Sequence, residues 1–138
     1  MKELRVVIAG SRDFDDLPKL ISSCANILSD IINRRNDLDK IRVVSGTAKG
    51  ADQLGEQYAK IAGYEVTKFY PDWNGLGKKA GYVRNTEMAK YAVANGNYGV
   101  LIAFWDGKSK GTKHMIDLAK KNNLEVYIVR FDDEEIRE

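Results

Sequence analysis

With 138 residues, 43% apolar and 30% charged, the chain has the size and balance of one soluble globular domain able to bury a core. Its apolar stretches reach about six residues, against the roughly 20 of a membrane span, and its first residues lack a signal peptide's apolar core. The lone cysteine excludes an internal disulfide, so a cytoplasmic location is expected, and a net charge of +2 singles out no class of partner.

In chain order, Leu4–Ala9 is a continuous, β-branched run that predicts a buried strand. Gly10-Ser11-Arg12 follows it, and Asp15-Asp16-Leu17-Pro18 then supplies a helix start. Leu17, Leu20, Ile21, Cys24, Ile27, Leu28, Ile31 and Ile32 recur at helical spacing. A second strand is expected over Ile41–Ser45. A helix from about Gly50 to Ile61 should bury Ala51, Leu54, Tyr58 and Ile61, with Gly63 as its stop. Glu65–Tyr70 predicts a third strand, and Pro71–Gly77 a loop by its Pro, Asn and Gly content. A helix starting near Lys79–Gly81 carries Arg84, Asn85, Met88, Tyr91 and Ala92. A turn at Asn95–Asn97, a strand over Gly99–Phe104, a helix over Gly111–Asn122 and a strand over Glu125–Val129 complete the domain.

Strands alternating with helices over this length predict a single Rossmann-like α/β fold, a three-layer α/β/α sandwich on a five-stranded parallel sheet. With the first strand central, the expected order is 3-2-1-4-5, and ligands in such sheets bind at the switch point, here between the first and fourth strands. Residues 132–138 carry five acids and one Arg, a net −4, leaving +6 on residues 1–131. Nothing assigns that acidic tail a task.

One arrangement occurs three times: an apolar strand, a loop rich in Gly, Ser and Thr, then a helix. The loops are Gly10-Ser11-Arg12, Ser45-Gly46-Thr47-Ala48-Lys49-Gly50-Ala51-Asp52, and Trp105-Asp106-Gly107 leading to Gly111-Thr112. Glycine lets the backbone approach a ligand, and helix N-termini offer N–H groups to anions, so the loops point to a phosphate-bearing ligand. Tight strand-to-helix turns alone would also explain any one of them. The second loop is no Walker A sequence, because no Gly-Lys-Ser/Thr triplet closes it, and Gly10 opens no dinucleotide fingerprint. Basic residues gather beside these loops (Arg12, Lys49, Lys78, Lys79, Arg84, Lys108 and Lys110), which favours a small anion over a long nucleic acid, for which no motif is present.

Arg12 is placed to pair bidentately with phosphate or carboxylate, or to form a surface ion pair. Asp52 either caps its helix or receives a ribose hydroxyl. Asp72 and Asp106 each follow a strand at the ligand end; they are candidate catalytic carboxylates or ribose ligands, and equally ordinary turn residues. Trp73 and Trp105 either stack on a base or pack against the protein. His114 is the only histidine and lacks ligand-spaced partners, so neither a metal nor a cofactor is expected. Cys24 lies on an apolar helix face, as a packed thiol does.

Together, Gly10-Ser11-Arg12-Asp13-Phe14, Ser45-Gly46-x-Ala48-x-Gly50-Ala51-Asp52, Asp72-Trp73 and Ala80-Gly81-x-x-Arg84-Asn85-x-x-Met88 resemble the YspA-type branch of the SLOG superfamily, as does the fourth strand with Gly111-Thr112. The resemblance covers about residues 4–120. It implies a nucleotide or nucleotide-derived ligand, an occurrence in prokaryotic or phage conflict systems, and homo-oligomers. Within the superfamily, Lonely-Guy phosphoribohydrolases pair a helical Arg near a Met with a Gly-Thr phosphate loop and a catalytic Glu. Arg84 and Met88 resemble the first part and Gly111-Thr112 the second, but Lys113, His114 and Met115 stand where the acid would be. Cleavage through a sugar oxocarbenium ion needs a carboxylate. Binding of a phosphorylated nucleotide-type molecule is therefore the leading expectation. Gly10, Ser11, Arg12, Ser45, Gly46, Thr47, Gly50, Asp52, Trp73, Arg84, Asn85, Trp105, Gly111 and Thr112 are its candidate ligand residues. N-glycosidic cleavage with Asp72 or Asp106 comes second, and a nucleic-acid accessory role is the weakest.

Overall fold

The central strand explains the architecture. In β1 (Lys2–Gly10), Leu4, Val6 and Ile8 enter one apolar cluster, while Val7 and Ala9 enter another on the opposite face of the sheet. A strand buried on both faces needs helices on both, and a parallel sheet with crossover helices provides them. The computed structural model describes residues 2–131, and the acidic segment 132–138 lies outside them.

The five strands are all parallel, in the order β3-β2-β1-β4-β5. The others are β2 (Leu38–Ser45), β3 (Glu65–Lys68), β4 (Tyr98–Trp105) and β5 (Glu125–Arg130). Helices α1 (Leu17–Arg34) and α2 (Ala51–Ala62) cover one face, through Leu20, Cys24, Leu28 and Ile31 on the first and Tyr58 and Ala59 on the second. After the short α3 (Trp73–Leu76), α4 (Ala80–Val93) and α5 (Lys110–Lys121) cover the other face, with Met88, Ala89, Met115 and Ile116. The chain changes face between β3 and β4, so β1 and β4 leave the sheet in opposite directions, which opens a crevice at their carboxyl ends.

Local chemistry sets the helix ends. The Asp16 side chain accepts the Lys19 N–H at 3.1 Å, and Pro18 occupies the first turn of α1. Ser109 does the same for α5, accepting the Thr112 N–H at 3.4 Å. Gly63 ends α2 in the left-handed conformation.

Three expectations need correction. First, β3 stops at Lys68, two residues short of Tyr70. Second, the expected loop over 71–77 contains α3, because Asp72 caps it by accepting the Gly75 N–H at 2.9 Å; a 3-10 turn follows over Gly77–Lys79. Third, Ile61 is 66% exposed. The buried stripe of α2 is made of small residues, Ala51, Gly55 and Ala59 with Tyr58, and Ile61 falls outside it. A Cβ on Gly55 would stand 2.7 Å from Ile8 Cγ2, so the absence of side chain brings α2 down onto β1.

Candidate functional site

The carboxyl ends of β1, β2 and β4 are tied together before any pocket is formed. The Ser11 N–H donates to the Phe104 carbonyl at 2.9 Å, and its own carbonyl accepts the N–H groups of Phe14 (3.2 Å) and Ala51 (3.3 Å). Its hydroxyl accepts the Asp106 N–H at 3.3 Å. Thus one buried serine fastens the first loop to the other two. Beneath it, Phe14 stacks on Phe104 with ring centroids 4.9 Å apart. Two glycines permit the closeness. A Cβ at Gly10 would collide with the Phe104 carbonyl oxygen, and one at Gly50, where φ is +90°, would collide with the Ser11 carbonyl oxygen.

Above this floor lies a pocket of about 320 Å³. Its cations are Arg12, Lys78 and Arg84, and its one acid among the described residues is Asp52. Trp73 and Tyr82, about half exposed, supply aromatic surface. Asn85, Ser109, Gly111 and Thr112 add polar groups, over apolar Met88 and Met115.

Arg84 is held in place by its neighbours. Nη1 donates to the Gly46 carbonyl at 2.5 Å and Nε to Asn85 Oδ1 at 3.1 Å. Nη2 makes no hydrogen bond to a described residue and lies 3.6 Å from where a Cβ on Gly81 would stand. Burial and the nearby Arg12 depress the Arg84 pKa, with Asp52 opposing them. Arg12 is exposed and has no hydrogen bond or ion pair among the described residues. Two guanidinium groups with unused donors and no carboxylate in contact suit an anion.

Asp52 is 5% exposed, and its Oδ2 accepts the Ala48 N–H at 3.2 Å. Burial pushes its carboxyl up to about 6, against the opposing pull of the Ala48 N–H and Arg84. Asn85, also buried, donates from Nδ2 to the Gly111 carbonyl at 3.4 Å and lies 3.2 Å from His114 Nδ1. The His114 ring packs against Tyr82 with centroids 4.3 Å apart, and its burial lowers its pKa. No group of three or more His, Cys, Asp or Glu among the described residues is arranged to hold a metal ion.

Eight of the candidate residues read from sequence line this pocket with others: Gly10, Arg12, Asp52, Trp73, Arg84, Asn85, Gly111 and Thr112. Gly46 and Thr47 line an adjoining depression of about 220 Å³, which shares Arg12, Trp73 and Arg84 with the first. Thr47 has a φ of +69°, rare for a β-branched side chain, and its N–H is caught by the Ser45 hydroxyl at 3.0 Å. Gly50 lines a third depression beside Lys49, again reaching Arg12.

The remaining candidates face elsewhere. Ser45 is buried and donates to Glu56 Oε2 at 2.5 Å. Trp105 donates its indole N–H to the Ser109 carbonyl at 3.1 Å and packs into the apolar cluster of α4 and α5. Asp72 caps α3 and is exposed. Asp106 accepts the N–H groups of Lys108 and Ser109, each at 2.8 Å. Burial raises its pKa, but those donors and Ser11 outweigh it and hold the carboxyl below its ordinary value. Neither acid lines the pocket.

Sequence reasoning did not put Tyr82, Ser109, Gly81 or Met115 in the site. Gly81 was within reach of it, because Gly81, Arg84, Asn85 and Met88 stand at i, i+3, i+4 and i+7 on one helix face. Ser109 carried the signal of an N-cap just before Gly111-Thr112. Tyr82 carried none.

Against known proteins, the family described as "YspA, cpYpsA-related SLOG family" matches residues 4–75. The "Gene 61 protein" of Mycobacterium phage D29 is 34% identical over 134 residues, covering 94% of this chain and 97% of that protein. No solved structure matches. A match over half the chain, with a full-length relative alongside it, makes this protein a member of the YspA, cpYpsA-related SLOG family.

Proposed function

We propose that this protein binds a nucleotide or nucleotide-derived phosphorylated ligand, such as an NAD- or ADP-ribose-like molecule, and holds it intact for sensing or sequestration. The observation that carries this reading is the pairing of Arg12 and Arg84 with the half-exposed rings of Trp73 and Tyr82 on one pocket. Guanidinium donors suit phosphate oxygens, and an aromatic ring suits the face of a base. Membership of a nucleotide-ligand superfamily supports it.

A second reading is hydrolysis or transfer at an N-glycosidic bond. It needs a carboxylate facing the sugar, and among the described residues Asp52, not Asp72 or Asp106, is the acid on the pocket wall. One experiment separates the two. The protein is incubated with nucleoside monophosphates, NAD, ADP-ribose and cyclic nucleotides, and both thermal shift and products by chromatography are read. A stabilising ligand recovered intact is the expected result; release of free base or nicotinamide would establish cleavage instead. Salt-dependent DNA binding without any small-molecule shift would favour the nucleic-acid role.

A further inference from the structure

Resting on that reading, we propose that Asp52 selects the sugar: it accepts a hydrogen bond from a ribose hydroxyl, so the pocket takes ribonucleotide-type ligands in preference to their hydroxyl-free counterparts. The first reason is that Asp52 does not do what an Asp at a helix start ordinarily does. Gly50 is the N-cap of α2, which receives no side-chain cap, and the Asp52 carboxylate turns back to the Ala48 N–H in the loop before it. A carboxylate has about four acceptor positions, and the Ala48 and Gly10 N–H groups engage only part of that capacity.

The second reason is the spacing of charge across the pocket. A Cβ on Gly46 would stand 2.9 Å from Asp52 Oδ2 and 3.0 Å from Arg84 Nη1, so acid and guanidinium lie within about 6 Å of each other. They nevertheless form no ion pair. Both groups line the pocket, so a ribose phosphate can lie across them, with phosphate on the arginine side and hydroxyls on the aspartate side. The carboxylate repels phosphate, which fixes that direction. With a carboxyl at about 6, Asp52 is mostly ionised at neutral pH and therefore an acceptor only, the state that a sugar hydroxyl requires of its partner.

The test is calorimetric titration of the full chain at neutral pH with the four ribonucleoside 5′-monophosphates and their 2′,3′-dideoxy counterparts. For whichever base binds, the dideoxy form is expected to bind roughly 10- to 100-fold more weakly, the range of a charge-assisted hydrogen bond. In Asp52→Asn and Asp52→Ala the gap should close to within about threefold, through loss of affinity for the ribose form alone. Equal affinities in the unaltered protein overturn the inference, as does full discrimination surviving in Asp52→Asn. Failure of every ribonucleoside monophosphate to bind overturns it too, whereas the proposed function falls only if the wider panel also fails. Should Asp52→Ala not fold, Asp52→Asn, which keeps an acceptor for the Ala48 N–H, decides together with the unaltered protein.

Discussion

Asp52 and Glu3 are both carboxylates near arginines, yet their surroundings drive them in opposite directions. Glu3, at the amino end of β1, accepts from Arg42 Nε and Nη2 along one guanidinium edge (3.1 and 3.2 Å) and from Arg5 Nε at 2.9 Å. The Arg42 hydrogen bonds outweigh burial and, with Arg5, hold its carboxyl down to about 2. A carboxyl lowered on folding contributes stability that is present above its unfolded pKa and lost as pH falls through the folded one. Glu3→Gln should therefore cost about 1–2 kcal/mol at neutral pH, discounted for partial exposure, and the cost should shrink as pH falls from about 5 to about 3. Urea unfolding across that range is the measurement. Asp52 has the reverse sign, because its carboxyl is raised to about 6. The folded state then binds the extra proton, and stability falls as pH rises from the ordinary carboxylate range through about 6. Asp52→Asn is expected to be more stable than the unaltered protein at pH 8, on the order of 2–3 kcal/mol, and to lose that advantage near pH 4. A variant that is more stable but discriminates sugars less well is the pattern of a residue kept for binding.

Among the elements, α2 shows where a sequence speaks and where it does not. The strands were legible because β1 and β4 are continuous runs of Val, Ile, Leu and Ala, a pattern that only burial on both faces explains. The long apolar stripe of α1 was legible for the same kind of reason. In α2 the expected face of Ala51, Leu54, Tyr58 and Ile61 holds for the first three, with Ala51 and Tyr58 buried and Leu54 packed against the core. Ile61 is exposed, however, and the buried Gly55 and Ala59 were not foreseen. Hydropathy is blind to a face built from missing atoms. Gly55→Leu should thus cost about 1–3 kcal/mol by overpacking against Ile8, while Ile61→Ala should stay within roughly 0.5 kcal/mol. Thermal unfolding of the two variants checks the contrast. Likewise, α3 was hidden because its cap, Asp72, is the same residue type that makes a turn.

For the molecule as a whole, the site was legible to the extent that loop residues follow directly from strand ends or helix faces. Arg12, Asp52, Arg84 and Thr112 meet in one pocket because β1, α2, α4 and α5 deliver them there. Trp105 and Asp106 sit just as close to a strand end in sequence, but the turn between β4 and α5 uses them for its own hydrogen bonds. That path depends on packing, which no local pattern encodes. If the pocket grips phosphate, Arg84→Ala should abolish the thermal shift that a stabilising nucleotide gives, and added salt should weaken the shift in the unaltered protein.

The Ser11 hydroxyl and the Asp106 N–H meet beneath that pocket across 95 positions of sequence. No fragment ending before β4 can assemble this junction, and Gly111 and Thr112 come later still. Partly unfolded forms that have lost the β1–β4 pairing therefore have no affinity to share with the native state. A bound nucleotide should act by mass action on the complete, cooperative unit, slowing exchange even of the core amides of β1 and β4 that open only on global unfolding. During synthesis, a nascent chain could bind such a nucleotide only once α5 had been made, so occupancy itself would report a closed β1–β4 junction.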